Sequence, residues 1–275
     1  MATETKHASR HAMPALLLAL LAGGVVTPLD VARAQEAEAT PEEGGSVSGL
    51  DITRPLQRIE LRTEFADEGE EDKTTFTLRQ VHPVQLDGGW LLNLRTELPL
   101  VIANSPSEGS ETGIGDIRLQ AVAVHDTGGP RAWGFGLQVQ LPTGNERLGR
   151  GQWQLLPILG HRWSLPKLSE ESFFQLVARY RVSFGGEREQ ENISELQLAP
   201  NLEIGLPGRA YLSFFPSNDV RYDFKRDGLF VPINVEIGKE WKRVVVSLEG
   251  AKKVISTNGV QPYDWRVEAR IGYRY

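Results

Sequence analysis

The side chains of this sequence that could do chemistry are a few histidines, one acidic loop, and a long series of interleaved arginines and carboxylates. Beyond the first 34 residues the histidines are His82, His125 and His161. They stand far apart, and none has a second ligand at metal-binding spacing, so no metal site is expected. His161 and Ser164 lie close in the chain, as a base and nucleophile must lie close in space. In an extended strand, however, that separation puts them on opposite faces. Gly113-Ile114-Gly115-Asp116 has two glycines of a phosphate loop but lacks the third and a following helix. It reads as a strand entered from a loop. Asn218, Asp219, Asp223 and Asp227 could gather around Ca²⁺, but their spacing is not that of an EF-hand, and a solvated loop is the simpler reading. No catalytic residue and no cofactor is expected. The arginines and carboxylates remain. Paired carboxylates can do acid–base work, but with arginines interleaved on the same face, mutual salt-bridging is the simpler chemistry.

The interleaving itself points to the elements that hold these charges. In the last segment Trp265, Val267, Ala269, Ile271, Tyr273 and Tyr275 share one parity, and Arg266, Glu268, Arg270, Gly272 and Arg274 share the other. Successive side chains of a strand point to opposite faces, so this is a strand with one apolar and one charged face. The same dyad recurs in Ile117 to Ala123, Trp133 to Leu141, Phe174 to Phe184, Leu196 to Leu206 and Leu229 to Ile237. Period-2 alternation gives about twelve strands. The expected spans are 57–65, 74–84, 90–101, 114–125, 131–141, 153–164, 172–184, 192–206, 209–217, 229–238, 242–254 and 264–275. Leu155, Leu156, Ile158 and Leu159 occupy both parities and make 153–164 the least regular of them.

Most of these strands exceed the roughly 5–6 residues usual in soluble sheets. They match the roughly 9–11 residues that a tilted strand needs to cross a bilayer. The connections largely alternate between tight (86–89, 126–130, 207–208, 239–241) and long (66–73, 102–113, 142–152, 185–191, 217–228, 255–263). Outer-membrane barrels have short periplasmic turns and longer outer loops, which would place both termini in the periplasm. Trp90, Trp133, Trp163, Phe173, Tyr273 and Tyr275 fall near the expected periplasmic strand ends, where an aromatic girdle would sit.

The first residues read as an export signal. Lys6 and Arg10 precede the apolar run Pro14 to Val26, and Ala32-Arg33-Ala34 supplies a small-x-small cleavage site before Gln35. The domain reading is a signal peptide over 1–34, a flexible periplasmic leader outside the fold over 35–56, and a barrel over 57–275. The chain has no cysteine and a formal charge of −6. The first excludes disulfides and thiolate chemistry; the second argues against nucleic acid, which needs a basic face. No other segment approaches the length of a transmembrane helix.

Two stretches carry a family resemblance. Gly113-Ile-Gly-Asp116 opens one amphipathic strand, and Leu141-Pro-Thr-Gly144 closes the next before a Gly-rich loop; Gly149-Arg-Gly151 then leads to Leu156-Pro-Ile158. This arrangement resembles the outer-membrane transporter family linked to the meta pathway of phenol degradation. The resemblance implies a barrel of about this size that passes small molecules, hydrophobic or aromatic ones among them, and it supplies no catalytic residues.

The expected fold is therefore an all-β, antiparallel transmembrane β-barrel in the outer membrane, with the lipid bilayer and a small solute as partners. The expected function is passive passage, and the alternatives are an outer-membrane enzyme acting on lipid and a soluble periplasmic binding protein. The alternation leaves both parities open. With the charge-rich one inward, the lumen-lining candidates are Arg95, Glu97, Asp116, Arg118, Arg179, Arg181, Glu195, Glu203, Arg266, Glu268 and Arg270.

Overall fold

The structure, a computed structural model, describes residues 48–126, 129–186, 191–217 and 219–275. The signal peptide expected over 1–34, the first part of the leader and Asn218 lie outside the described residues, as do parts of the 126–130 turn and of the 185–191 loop. The strands are β1 (Arg58–Asp67), β2 (Asp72–Gln85), β3 (Trp90–Ser105), β4 (Gly109–Ile114), β5 (Arg118–Asp126), β6 (Arg131–Gln140), β7 (Gln152–Ser164), β8 (Phe173–Gly186), β9 (Ser194–Leu206), β10 (Ala210–Phe214), β11 (Val220–Asp223), β12 (Gly228–Trp241), β13 (Val244–Ser256) and β14 (Trp265–Arg274). Each pairs antiparallel with its neighbours. The sheet closes where β1 meets β14, in register from Arg58↔Arg274 to Asp67↔Trp265.

Two barrel positions are each filled by two collinear segments. β4 and β5 both pair with β3, at Leu100–Ser105 and Trp90–Glu97 respectively. β10 and β11 both bridge β9 and β12. The barrel therefore has 12 strand positions. The second interruption has a local cause. Phe215 takes a left-handed φ of 54° and Pro216 has no N–H to give the ladder, so pairing stops at Phe214 and resumes at Val220. Sequence alternation ran that strand to 217 and read 217–228 as loop, so β11 is a correction. The expected loop 102–113 is likewise mostly hairpin, formed by the end of β3 and β4.

The charge-rich parity faces inward. Arg58, Glu60 and Arg62 of β1 are buried, whereas Ile59 and Leu61 between them are 41% and 47% exposed. The same outward apolar row runs through Leu78, Leu98, Leu137, Leu159, Leu176, Ile237, Leu248 and Ile271. In water so large an apolar surface would be an aggregation hazard. In hydrocarbon it is the matching solvent, and closure of the sheet leaves no unpaired backbone edge. This exterior contradicts the soluble alternative, which requires polar side chains there. Leu156 and Ile158 resolve the irregular strand: both face inward, while Leu155, Pro157 and Leu159 face outward.

Aromatic rings cluster at both rims. At the end carrying the short turns, Trp133, His161, Trp163 and Phe174 stack in series across β6, β7 and β8, with centroids 3.8, 3.8 and 5.5 Å apart. Trp90 packs on His125 and Phe135 beside them. At the other rim Phe65 meets Trp265, Trp153 meets Phe184, and Phe224 meets both Tyr180 and Tyr222. Phe173 corrects the expected girdle. It is fully buried in the barrel interior, with the Arg162 guanidinium 5.2 Å above its ring. Its outward neighbour Phe174 takes the girdle position.

The leader is the largest correction. Residues 48–56 are not outside the fold; they enter the barrel from the short-turn end. Ser48, Asp51 and Thr53 are buried, and Asp51 forms an ion pair with Arg162 of β7 at 2.5 Å. A segment of this composition is polar enough to look solvated, but the interior it enters is polar too.

Candidate functional site

The site is the barrel interior, built by the inward parity of every strand. One wall is braced. Arg270 of β14 donates to Glu236 of β12 at 2.6 Å, to Tyr211 of β10 at 2.5 Å and to Ser247 of β13 at 3.0 Å, and lies 3.5 Å from Glu60. The Tyr211 hydroxyl in turn donates to Glu236. One turn of the ladder outward, Arg266 joins Asp219 at 2.7 Å, Glu249 at 2.5 Å and Glu64 at 2.9 Å. Arg62 pairs with Glu268, and Arg274 with Glu240. These pairs are short, multiply bonded and largely dry, the condition under which a buried ion pair holds together.

The opposite wall is different. Its inward positions carry Gln120, Gln138, Gln140, Gln154, Gln175 and Gln197, all buried. Its arginines share few acids. Glu97 alone forms ion pairs with Arg79 at 2.7 Å, Arg95 at 3.1 Å and Arg118 at 2.7 Å. Arg95 also donates to Gln120 and Gln138. Arg181 stands 3.7 Å from Glu195, whose other partner is Gln197. Between the walls lies a cavity of about 650 Å³, lined by Arg95, Glu97, Arg118, Arg179, Arg181 and Glu268 among others.

The structure thus gives the sequence-derived candidates unequal places. Arg266, Glu268 and Arg270 belong to the braced wall. Arg95, Glu97, Arg118, Arg179, Arg181 and Glu195 belong to the opposite wall. Glu203 is buried at the short-turn end, where it accepts from Ser48 of the N-terminal segment at 2.5 Å. Asp116 holds a loop. Its carboxylate accepts from the backbone of Gly144 (3.1 Å) and Arg150 (2.7 Å) and from Gln140 Nε2 (2.9 Å). Thr143 Oγ1 donates to Gly115 O and accepts from Ile117 N. The Gly113–Asp116 and Leu141–Gly144 motifs are therefore two halves of one clasp, which folds the 141–151 loop over the outer mouth. A β-carbon on Gly149 would stand 2.4 Å from Asp116 Oδ1, so the clasp requires glycine there. Leu148 at its tip packs on Val101 and Ala103.

Outside the strands, Arg147 of this loop reaches the β1–β2 hairpin and donates twice to Glu71, at 2.8 and 3.0 Å. Partial burial pushes the Glu71 carboxyl up. The Arg147 hydrogen bonds and the Lys73 charge outweigh that and hold it below the usual carboxylate range.

The N-terminal segment closes the other end. Ile52 N donates to Gln175 Oε1 at 2.9 Å, and Arg58 Nη2 donates to Gly49 O at 2.7 Å. Ile52 packs on an apolar band of Val122, Val124, Ile158 and Val177. Gly160 makes room for it, since a β-carbon there would stand 2.4 Å from Ile52 Cδ1. Sequence reasoning missed Asp51, Arg162, Arg79, Tyr211 and Glu249 as interior residues. The glutamines shared the inward parity, which was the signal available for them. His161 and Ser164 do diverge: His161 lies among the rim rings, and Ser164 Oγ accepts from the interior Arg162 at 2.5 Å.

A family described as "Putative MetA-pathway of phenol degradation" matches residues 66–211, more than half of the chain. The chain belongs to this family. Its matched span contains the whole clasp and most of the arginine and glutamine wall. The fold is similar to that of the COG4313 outer membrane channel from Pseudomonas putida F1, at 16% identity, with a TM-score of 0.63 over 81% of this chain and 97% of that one. More distant likenesses include the KdgM porin (13% identity, TM-score 0.48, 79% and 99% covered) and the NanC porin (9% identity, TM-score 0.49, 79% and 98% covered). No curated protein matches the sequence.

Proposed function

We propose that this family member is a non-enzymatic outer-membrane channel that lets small solutes pass down their gradient. The observation that carries the reading is the cavity. It extends from outer-mouth residues such as Lys73, Glu146 and Tyr263 down to Asp51 and Ile52, inside a closed barrel with an apolar exterior. A lumen lined by fixed charges and amides sets an ionic preference without any chemical step. The route follows the arginine and glutamine wall, since the braced wall is filled by its own side chains. The N-terminal segment stands across the periplasmic end of that route and narrows it.

The test is single-channel conductance of the purified mature protein in a planar bilayer, beside Asp51→Asn. Discrete conductance steps are expected, with larger steps in the variant because the Asp51–Arg162 pair tethers the segment. Folded, inserted protein that conducts in neither form would overturn the reading.

A further inference from the structure

The proposed channel reading leaves the solute class open, and the arginine and glutamine wall narrows it. Arg79, Arg95 and Arg118 converge on the single carboxylate of Glu97. Among the described residues only Arg79 of these three reaches a second acid, Glu60, at 3.4 Å. Arg179 makes no hydrogen bond or ion pair to any described residue, and its Nε is buried without a partner. It lines the same cavity as Arg95 and Arg118. Its terminal nitrogens face the cavity with no partner among the described residues, so an incoming anion can bond to them. The planar fork of arginine matches a carboxylate with two parallel hydrogen bonds.

The residues next to these arginines decide what the anion is attached to. The next inward positions along the same strands are Val177, two residues below Arg179 on β8, and Gln120 then Val122, two and four residues below Arg118 on β5. Two residues of strand span about 6.6 Å. A cationic, anion-binding region is therefore followed, within the length of a short alkyl chain, by the apolar band of Val122, Ile158 and Val177. Ile52 of the N-terminal segment covers that band. Inorganic oxyanions have nothing to place on it.

We propose that the lumen holds a binding site for small amphipathic carboxylates. The carboxylate sits on Arg95, Arg118 and Arg179, and the aliphatic body lies on the Val122–Ile158–Val177 band in the place of Ile52. This deepens the channel reading by naming its solute class, and binding is read separately from passage.

The experiment is isothermal titration calorimetry on the full mature protein in a non-ionic detergent at low salt. The titrants are sodium hexanoate, its uncharged counterpart hexanamide, and inorganic phosphate. Saturable hexanoate binding is expected, without hexanamide binding and with markedly weaker phosphate binding. Arg179→Gln should raise the hexanoate Kd at least about tenfold, the loss of one charge-assisted pair. Ile52→Ala should lower it severalfold by clearing the band, and Arg131→Gln on the exposed rim should leave it unchanged. Absence of saturable hexanoate binding, equal affinity for phosphate, or an unchanged Kd in folded Arg179→Gln would each overturn the proposal. If Arg179→Gln fails to fold, Ile52→Ala decides, and an unchanged or weaker affinity there overturns it. Hexanoate binding to a barrel that never conducts would sink the passage reading and leave the site standing.

Discussion

The two walls of the lumen use the same residue types to opposite ends. On the wall made by β1, β12, β13 and β14, each arginine meets at least one carboxylate, and the Tyr211 and Ser247 hydroxyls take up further donors of Arg270. On the wall made by β2, β3 and β5–β9, glutamines separate the arginines, and one carboxylate, Glu97, serves three of them. The difference teaches that charge inside a barrel is a brace or a solute surface according to how completely it is partnered. A satisfied network excludes water and fixes strand geometry. An under-partnered one keeps an electrostatic potential that a passing ion can feel.

The sharpest way to break this comparison is Arg270→Met. It removes the guanidinium shared by Glu236, Tyr211, Ser247 and Glu60 and leaves the buried Glu236 without its cation. Breaking a buried pair from one side costs about 3–5 kcal/mol. A corresponding drop in the urea unfolding midpoint in detergent, with little change in ion selectivity, is expected.

Arg95→Gln is the matching change on the opposite wall and should do the reverse. Arg79 and Arg118 still serve Glu97, and Gln120 and Gln138 can bond to the new amide. Stability should fall by no more than about 1–1.5 kcal/mol, the net worth of an ordinary hydrogen bond. The reversal potential in a salt gradient should move toward cation preference. A large stability loss with unmoved selectivity would show that this wall is a brace as well.

The smallest effect lies at the outer mouth, where neither wall reaches. Glu71 is held below its usual range by Arg147 and Lys73. A carboxylate depressed on folding contributes stability that is fully present above its unfolded pKa, about 4.3. That contribution is lost as pH falls through the lower folded value. Amide exchange in the 141–151 loop should thus show protection unchanged from pH 7 to pH 5, then decreasing in more acidic buffer. Loss of protection already between pH 7 and pH 5 would mean that another group controls the loop.

Most strands, the alternation of their two faces and the contrast between long and short connections were legible in the sequence, whereas β4, β11 and which face turns inward came from the structure. The legible features follow from local rules. Side chains alternate with a period of two, so the charged and apolar faces of most strands were visible one strand at a time. Phe173 shows that rule overriding side-chain type: Phe173 and Phe174 are chemically alike, but Phe173 shares the parity of Gln175 and Arg179 and so turns inward, beneath Arg162. Which arginine meets which acid was decided by the tertiary structure alone. Arg270 and Glu60 are far apart in the chain and come together only when β1 and β14 close the barrel. The same holds for Asp116, a lumen candidate by parity, which the return of the 141–151 loop turns into a clasp. The N-terminal segment is the clearest case. Its short polar residues look solvated because composition reports solubility, not which polar surroundings are available. Once the barrel exists, its interior offers Arg162, Gln175 and Glu203 as partners, and residues 48–56 find them there.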